Sequence, residues 1–230
     1  MTDVHPSPPP PAAQPAAPLV EAARYALLRR LAPSMRHHLV VNLQPIGMIY
    51  EVLDRRLQAP VPNLAQVHES AGKINGFARA ALNSCNDVVT WLAPPPGAVV
   101  GLEEGVRECV GLVATSLSFR GYALRNQVTD AALVHRCALR NVLTAALIHV
   151  TDEAPPPAEL VVAAKVEAGE VHLAIELRPA AGEQGFASEA TYRALAWQDV
   201  QALAAGEAVA IRRDGSVIRL ALPLVSAATA

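Results

Sequence analysis

The feature that most restricts the fold of this chain is a run of apolar residues lying between two groups of prolines. Leu64, Val67, Ala71, Ile74, Ala78, Ala81, Cys85, Val88 and Leu92 recur at alternating spacings of three and four. This is an a/d heptad seam sustained over about four heptads, and only a long helix sets all of these residues on one side. Upstream, Leu28, Met35, Leu39, Leu43, Ile46, Tyr50 and Leu53 keep the helical spacing from Val20 to about Leu57. Pro33 and Pro45 fall inside that stretch. The pattern continues beyond both, so each is expected to bend the helix or remove one hydrogen bond without ending it. Pro60 and Pro62 supply the turn between the two helices. Neither helix of such an antiparallel hairpin can bury its whole apolar stripe alone. Pairing two hairpins into a four-helix bundle solves this, so a homodimer is expected.

The flanks differ in character. Residues 1–18 are low in complexity, with a Pro8–Pro11 run and further prolines at Pro15 and Pro18. Such a stretch buries little apolar area and resists helix, which predicts a disordered or polyproline-like tail. Pro94-Pro95-Pro96-Gly97 reads as a boundary between a hairpin domain at 19–94 and a second domain at 98–226. There the pattern predicts a helix from Leu102 to about Phe119, a strand around Ala123–Val128 and a helix from Leu133 to Val150. Strands Leu160–Val166 and Val171–Leu177 follow, joined across Glu167-Ala168-Gly169-Glu170. A helix is expected from Glu189 to about Ala205. A last hairpin then pairs Ala208–Arg212 with Val217–Leu222 across Arg213-Asp214-Gly215-Ser216, where Asp-Gly is a strong turn signal. Strands sharing one sheet with helices on one face make an α/β sandwich.

Composition excludes several classes. Net charge is −2 with no basic stretch, so the surface cannot neutralise many phosphates and no nucleic-acid partner is expected. Cys85, Cys109 and Cys137 are far apart, odd in number and without metal-ligand spacing, which predicts buried free thiols and no metal site. No apolar run approaches the roughly 20 residues that span a bilayer, and the start of the chain lacks the order of a signal peptide. A cytoplasmic protein without membrane partners is expected.

The order of elements, a helical hairpin and Pro-Gly linker followed by helix-strand-helix-strand-strand-helix-strand-strand, resembles the histidine-kinase core. Met35-Arg36-His37-His38-Leu39, followed by Asn42-Leu43-Gln44 and Ile46, resembles its phosphoacceptor box of the Arg-His-Asp type. Leu139 to His149 resembles the helix carrying the kinase N-box, and Asp214 to Pro223 is similar to the closing strand of the ATP-binding fold. The similarity covers roughly residues 20–225 and implies a hairpin followed by a degenerate kinase-type ATPase sandwich.

The departures from the family matter as much. Asn141 matches the first Asn of the N-box, but Ala145 stands at the second, the residue that holds Mg²⁺ on ATP in working kinases. Where an Asp-x-Gly-x-Gly box should follow the Val171–Leu177 strand, the chain reads Arg178-Pro179-Ala180-Ala181-Gly182. The second Gly-rich box has no counterpart before Ala194, and the lid loop is short. ATP binding is therefore expected to be absent. A kinase-like fold without ATP chemistry resembles the two-domain histidine phosphotransferases, such as the ChpT type and the sporulation phosphotransferase. In those, a dimeric bundle relays phosphate between response-regulator aspartates, and the receiver supplies Mg²⁺.

That resemblance implies a response-regulator receiver as partner and His37 as the acceptor. At about 100° per residue His37 projects about 160° from Leu39, towards water, and His38 about 100° to the side. Some kinase families place Asn four residues after the His, and Asn42 would then single out His38. Arg36 is a candidate for attracting phosphate or an acidic receiver pocket, and Asn42 for capping or bending the helix. Where the family has an acid directly after the His, this chain has His38. That leaves open a non-catalytic pseudokinase scaffold that binds a response regulator or kinase without transferring phosphate.

Overall fold

The computed structural model describes residues 17–182, 185–186 and 192–226. Its first element is α1 (Ala17–Leu57), which runs unbroken through Pro33 and Pro45. The helix already includes Ala17 and Pro18, so the expected tail is shorter at its inner end; residues 1–16 lie outside the described residues. Pro18 sits in the first turn, where a missing N–H leaves no intrahelical bond unmade. Helix α2 (Leu64–Leu92) starts on Asn63, whose side-chain oxygen accepts from the N–H groups of Ala65 and Gln66. That cap satisfies two of the donors a helix start leaves free.

The two helices pair antiparallel. Asn42 Nδ2 donates to Ser84 Oγ at 2.9 Å, and Arg56 Nη1 donates to Ser70 Oγ at 2.8 Å. Both bonds belong to one register. The heptad seam of α2 is divided between two surroundings, a correction to the single seam expected. Val67, Ile74, Ala81 and Val88, with Ser70, Phe77, Ser84 and Trp91, face α1 and are buried or half-buried, whereas Leu64, Ala71, Ala78, Cys85 and Leu92 are exposed. Each exposed residue after Leu64 stands one position beyond a contacting one. On α1, Leu43, Tyr50 and Leu57 likewise follow the contacts Asn42, Ile49 and Arg56 and are exposed. One step of about 100° turns both stripes to the same side of an antiparallel pair. The hairpin thus shows an open apolar side.

Beyond the Pro-Gly linker come β1 (Val99–Gly101), α3 (Leu102–Phe119), β2 (Tyr122–Asn126), β3 (Leu133–His135) and α4 (Arg136–Glu153). They are followed by β4 (Ala158–Glu167), β5 (Glu170–Pro179), α5 (Trp197–Gly206), β6 (Ala210–Asp214) and β7 (Val217–Pro223). The main sheet runs β2-β4-β5-β7-β6, parallel only between β2 and β4. Helices α3, α4 and α5 cover one of its faces.

Three expectations need correction. Leu133–His135 is not helix but strand β3, paired antiparallel with β1, which the sequence pattern did not show. Helix α5 starts at Trp197; Tyr192–Ala196 is irregular, and residues 189–191 lie outside the described residues. The final hairpin begins at Ala210, two residues later than expected.

One apolar core joins the two parts of the chain. Ala23, Ala26, Leu27, Leu31 and Met35 of α1 and Trp91 of α2 belong to the same cluster as Leu139, Leu143, Leu147, Leu203 and Ile218. The first half of α1 is therefore a layer of the α/β domain, and its second half is the hairpin.

Candidate functional site

His37 and Arg36 lie on the exposed surface of α1, just past the point where the helix leaves the shared core at Met35. Neither makes a hydrogen bond or ion pair with another described residue. Each residue of the stripe His37, Val41, Met48 and Val52 precedes a residue in contact with α2. The stripe therefore faces the flank opposite to Leu43, Tyr50 and Leu57. His37 is thus presented to water on the side away from the open apolar side of the hairpin.

His38 is placed differently. It is half-buried, its ring centroid 6.3 Å from that of His37. It lines a cleft of about 260 Å³ between the hairpin and α3, together with Ser84, Asp87, Arg107, Glu108 and Arg140. Asn42 is also half-buried. Its amide donates both to the His38 carbonyl, at 3.1 Å, and to Ser84 Oγ. It thus ties the turn carrying both histidines to α2. Pro45 offers no N–H to the Val41 carbonyl, so this side-chain bond braces the helix where its ladder is interrupted. The cleft residues on α2, α3 and α4 carry no local motif, and only the fold gathers them.

Residues 138–151 of α4, the helix that carries Asn141 and Ala145, are buried throughout. Arg140 donates to Glu108 at 2.9 Å and to Thr90 Oγ1 at 2.9 Å, and it lies 4.8 Å over the Trp91 ring. Asn141 Nδ2 donates to Glu207 Oε1 at 2.7 Å, an oxygen that Arg24 of α1 also engages at 2.7 Å. Ala145 is fully buried; His149 Nδ1 donates to the Leu195 carbonyl at 2.8 Å, and its Nε2 lies 3.3 Å from Arg213 Nη1 and 3.5 Å from Glu153 Oε1. Arg140 thus joins α4 to α2 and α3, and Asn141 joins it to the end of α5, where Glu207 also meets α1.

A second clamp holds α1 down. Arg30 makes two bonds to Asp152, of 2.5 and 2.6 Å, and Asp152 also accepts the Leu195 N–H at 3.1 Å. Arg120 approaches the same carboxylate at 3.4 Å. Of the thiols, Cys109 is buried, Cys137 half-buried and Cys85 exposed, which corrects the expectation that all three are buried. Burial pushes the Cys109 thiol up to about 12, so it stays protonated. Among the described residues no group of His, Cys, Asp and Glu could hold a metal ion, and no helix is long and apolar enough to cross a membrane.

No protein-family model and no curated protein sequence matches this chain. Among solved structures it is similar to histidine kinase AdeS of Acinetobacter baumannii, with 13% identity and a TM-score of 0.41 over 79% of this chain and 98% of that one. It is similar also to a histidine kinase from Burkholderia phymatum STM815, with 16% identity and a TM-score of 0.43 over 90% and 98% of the two chains. A bacterial phosphotransferase aligns with 14% identity and a TM-score of 0.41 over 90% and 97%. At these values the likenesses assign no residue a role.

Proposed function

We propose that this protein is a histidine phosphotransferase of a two-component phosphorelay, taking phosphate from a response-regulator Asp onto His37 and passing it to another. The observation that carries this reading is the presentation of His37: exposed, unpaired among the described residues, and on a hairpin flank that also offers Val41, Met48 and Val52. In the forward step an imidazole nitrogen attacks the phosphorus of the aspartyl phosphate. The N–P bond forms, the P–O bond to the carboxylate breaks, and the partner's Asp leaves as carboxylate. The second ring nitrogen keeps or sheds the remaining proton to solvent. The phosphate arrives already activated, so His37 contributes chiefly by position. Mg²⁺ belongs to the receiver in this scheme. Arg36, next to His37 and equally exposed, would meet phosphate or acidic receiver groups.

The closure of α4 supports the absence of ATP chemistry. Mg-ATP is expected to leave the melting temperature unchanged, since a nucleotide that bound the folded chain would raise it; a rise would remove this part of the reading. The open apolar stripes (Leu43, Tyr50 and Leu57 with Ala78, Cys85 and Leu92) support a homodimer closed as a four-helix bundle.

A second reading rests on one observation: no carboxylate is bonded to His37 among the described residues, and His38 stands where the family has an acid. On that reading the chain holds a receiver on the same flank without chemistry. Incubation with a phosphorylated receiver separates the two. Transfer predicts acid-labile label on the wild type and none on His37→Gln. Unlabelled wild type that still binds the receiver contradicts transfer.

A further inference from the structure

The sheet face turned away from α3, α4 and α5 carries a groove of about 650 Å³ whose charge pattern is not explained by folding. Two cross-strand rows build it. In one, Lys165, His172, Ala221 and Ala210 lie side by side across β4, β5, β7 and β6. In the next, Ala163, Ala174, Arg219 and Arg212 do the same. The alanines form a low floor, with Lys165 and His172 in one corner of it and Arg212 and Arg219 in the opposite one.

Arg212 and Arg219 set like charges directly across from each other, an arrangement that destabilises a sheet. In the other corner Lys165 pairs with Glu167, which also lines the groove, and His172 lies 3.8 Å from Glu170. Arg219 meets Asp214 at only 3.5 Å, and that carboxylate is largely exposed. Arg212 has no ion-pair partner among the described residues. A local rule broken without internal compensation marks a functional surface. Both arginines line the groove, and guanidinium groups match phosphate or carboxylate oxygens in bidentate geometry.

We infer that this groove binds a compact small molecule carrying two or more phosphate or carboxylate groups, seated on the Ala163–Ala174–Ala221 floor and held by Arg212 and Arg219. The inference is independent of the role of His37.

The test titrates pyrophosphate and, separately, citrate into the full chain at low salt, following amide shifts or calorimetric heat. At least one probe is expected to bind with a Kd of about 1 mM or tighter; which of them binds identifies phosphate or carboxylate as the recognised group. The double variant Arg212→Gln/Arg219→Gln should weaken binding about tenfold or more. Ala174→Phe, which fills the floor and leaves every charge in place, should do the same. Arg125→Gln, at a sheet cation on β2 outside the groove, should leave binding unchanged. Absence of binding by both probes overturns the inference. So does a loss as large in Arg125→Gln, or binding that survives both groove variants, since either result makes the attraction a general one.

Discussion

Asp152 illustrates how single side chains hold this molecule together. Its carboxylate is nearly buried and is shared between Arg30, Arg120 and the Leu195 N–H. Replacing it by Ala strands two arginines in a poorly solvated place, and the expected loss in chemical unfolding is about 3–5 kcal/mol. Asp152→Asn keeps an acceptor and should lose less. The opposite sign is expected at Ala168, which adopts φ +50° beside Gly169 at φ +83°. A side chain in the left-handed region is strained, and Ala168→Gly should raise stability by about 0.5–1 kcal/mol in the same measurement. Ala168 falls inside the turn signal at Glu167–Glu170, but Asp152 did not advertise itself in the sequence. Asp152 lies 122 positions from Arg30, and spacing arguments reach only the nearest turns of a helix. His37 was legible, because its exposure follows from helix period alone. His38 was only half so, since its cleft is built by residues from three other helices.

Among the elements, α5 depends most on one local device. Asp199 accepts the Ala196 N–H at 2.9 Å and takes two bonds from Arg193, of 2.6 and 2.8 Å. The Arg193 guanidinium, against the opposing effect of burial and with help from the Ala196 N–H, holds its carboxyl below the usual carboxylate range. A depressed folded-state pKa contributes stability above the unfolded value of about 3.9, and that contribution disappears as pH falls through the folded one. Asp199→Asn is therefore expected to lower the melting temperature at neutral pH and to flatten the acid limb of the stability curve below about pH 4. An unchanged acid limb would show that the cap contributes nothing. The start of this helix was misread because the Ala-rich stretch before Trp197 has high helix propensity, and tertiary contacts overrode it. Strand β3 was missed for a similar reason: three residues are too few for a period of two to declare itself, and its partner β1 lies on the far side of α3. The two strand hairpins were legible, since one turn carries Ala168-Gly169, both at positive φ, and the other Gly215 at φ +60° after Asp214.

At the scale of the whole molecule, the first half of α1 fuses the hairpin to the α/β domain, and the second half leaves an apolar side open. The proposed closure of that side against a second copy makes a direct prediction. Leu43→Glu should yield a monomer in sedimentation, while alkylation of Cys85, which the proposed bundle would protect, should speed up. Cys109 should remain unreactive in both until unfolding, given its raised pKa and burial. Equal Cys85 rates with an unchanged sedimentation coefficient would place the dimer contact elsewhere. The general plan was readable from periodicity and prolines. The way α4 is sealed was not, because it arises from contacts among residues far apart in the chain. The central claim concerns one nitrogen-bearing ring, and the most direct measurement is to phosphorylate the full chain with phosphoramidate and map the product by ³¹P NMR and peptide mass. A phosphohistidine at His37, retained in His38→Gln and absent from His37→Gln, is the result expected. Label on His38, or a folded chain that takes none, would contradict it.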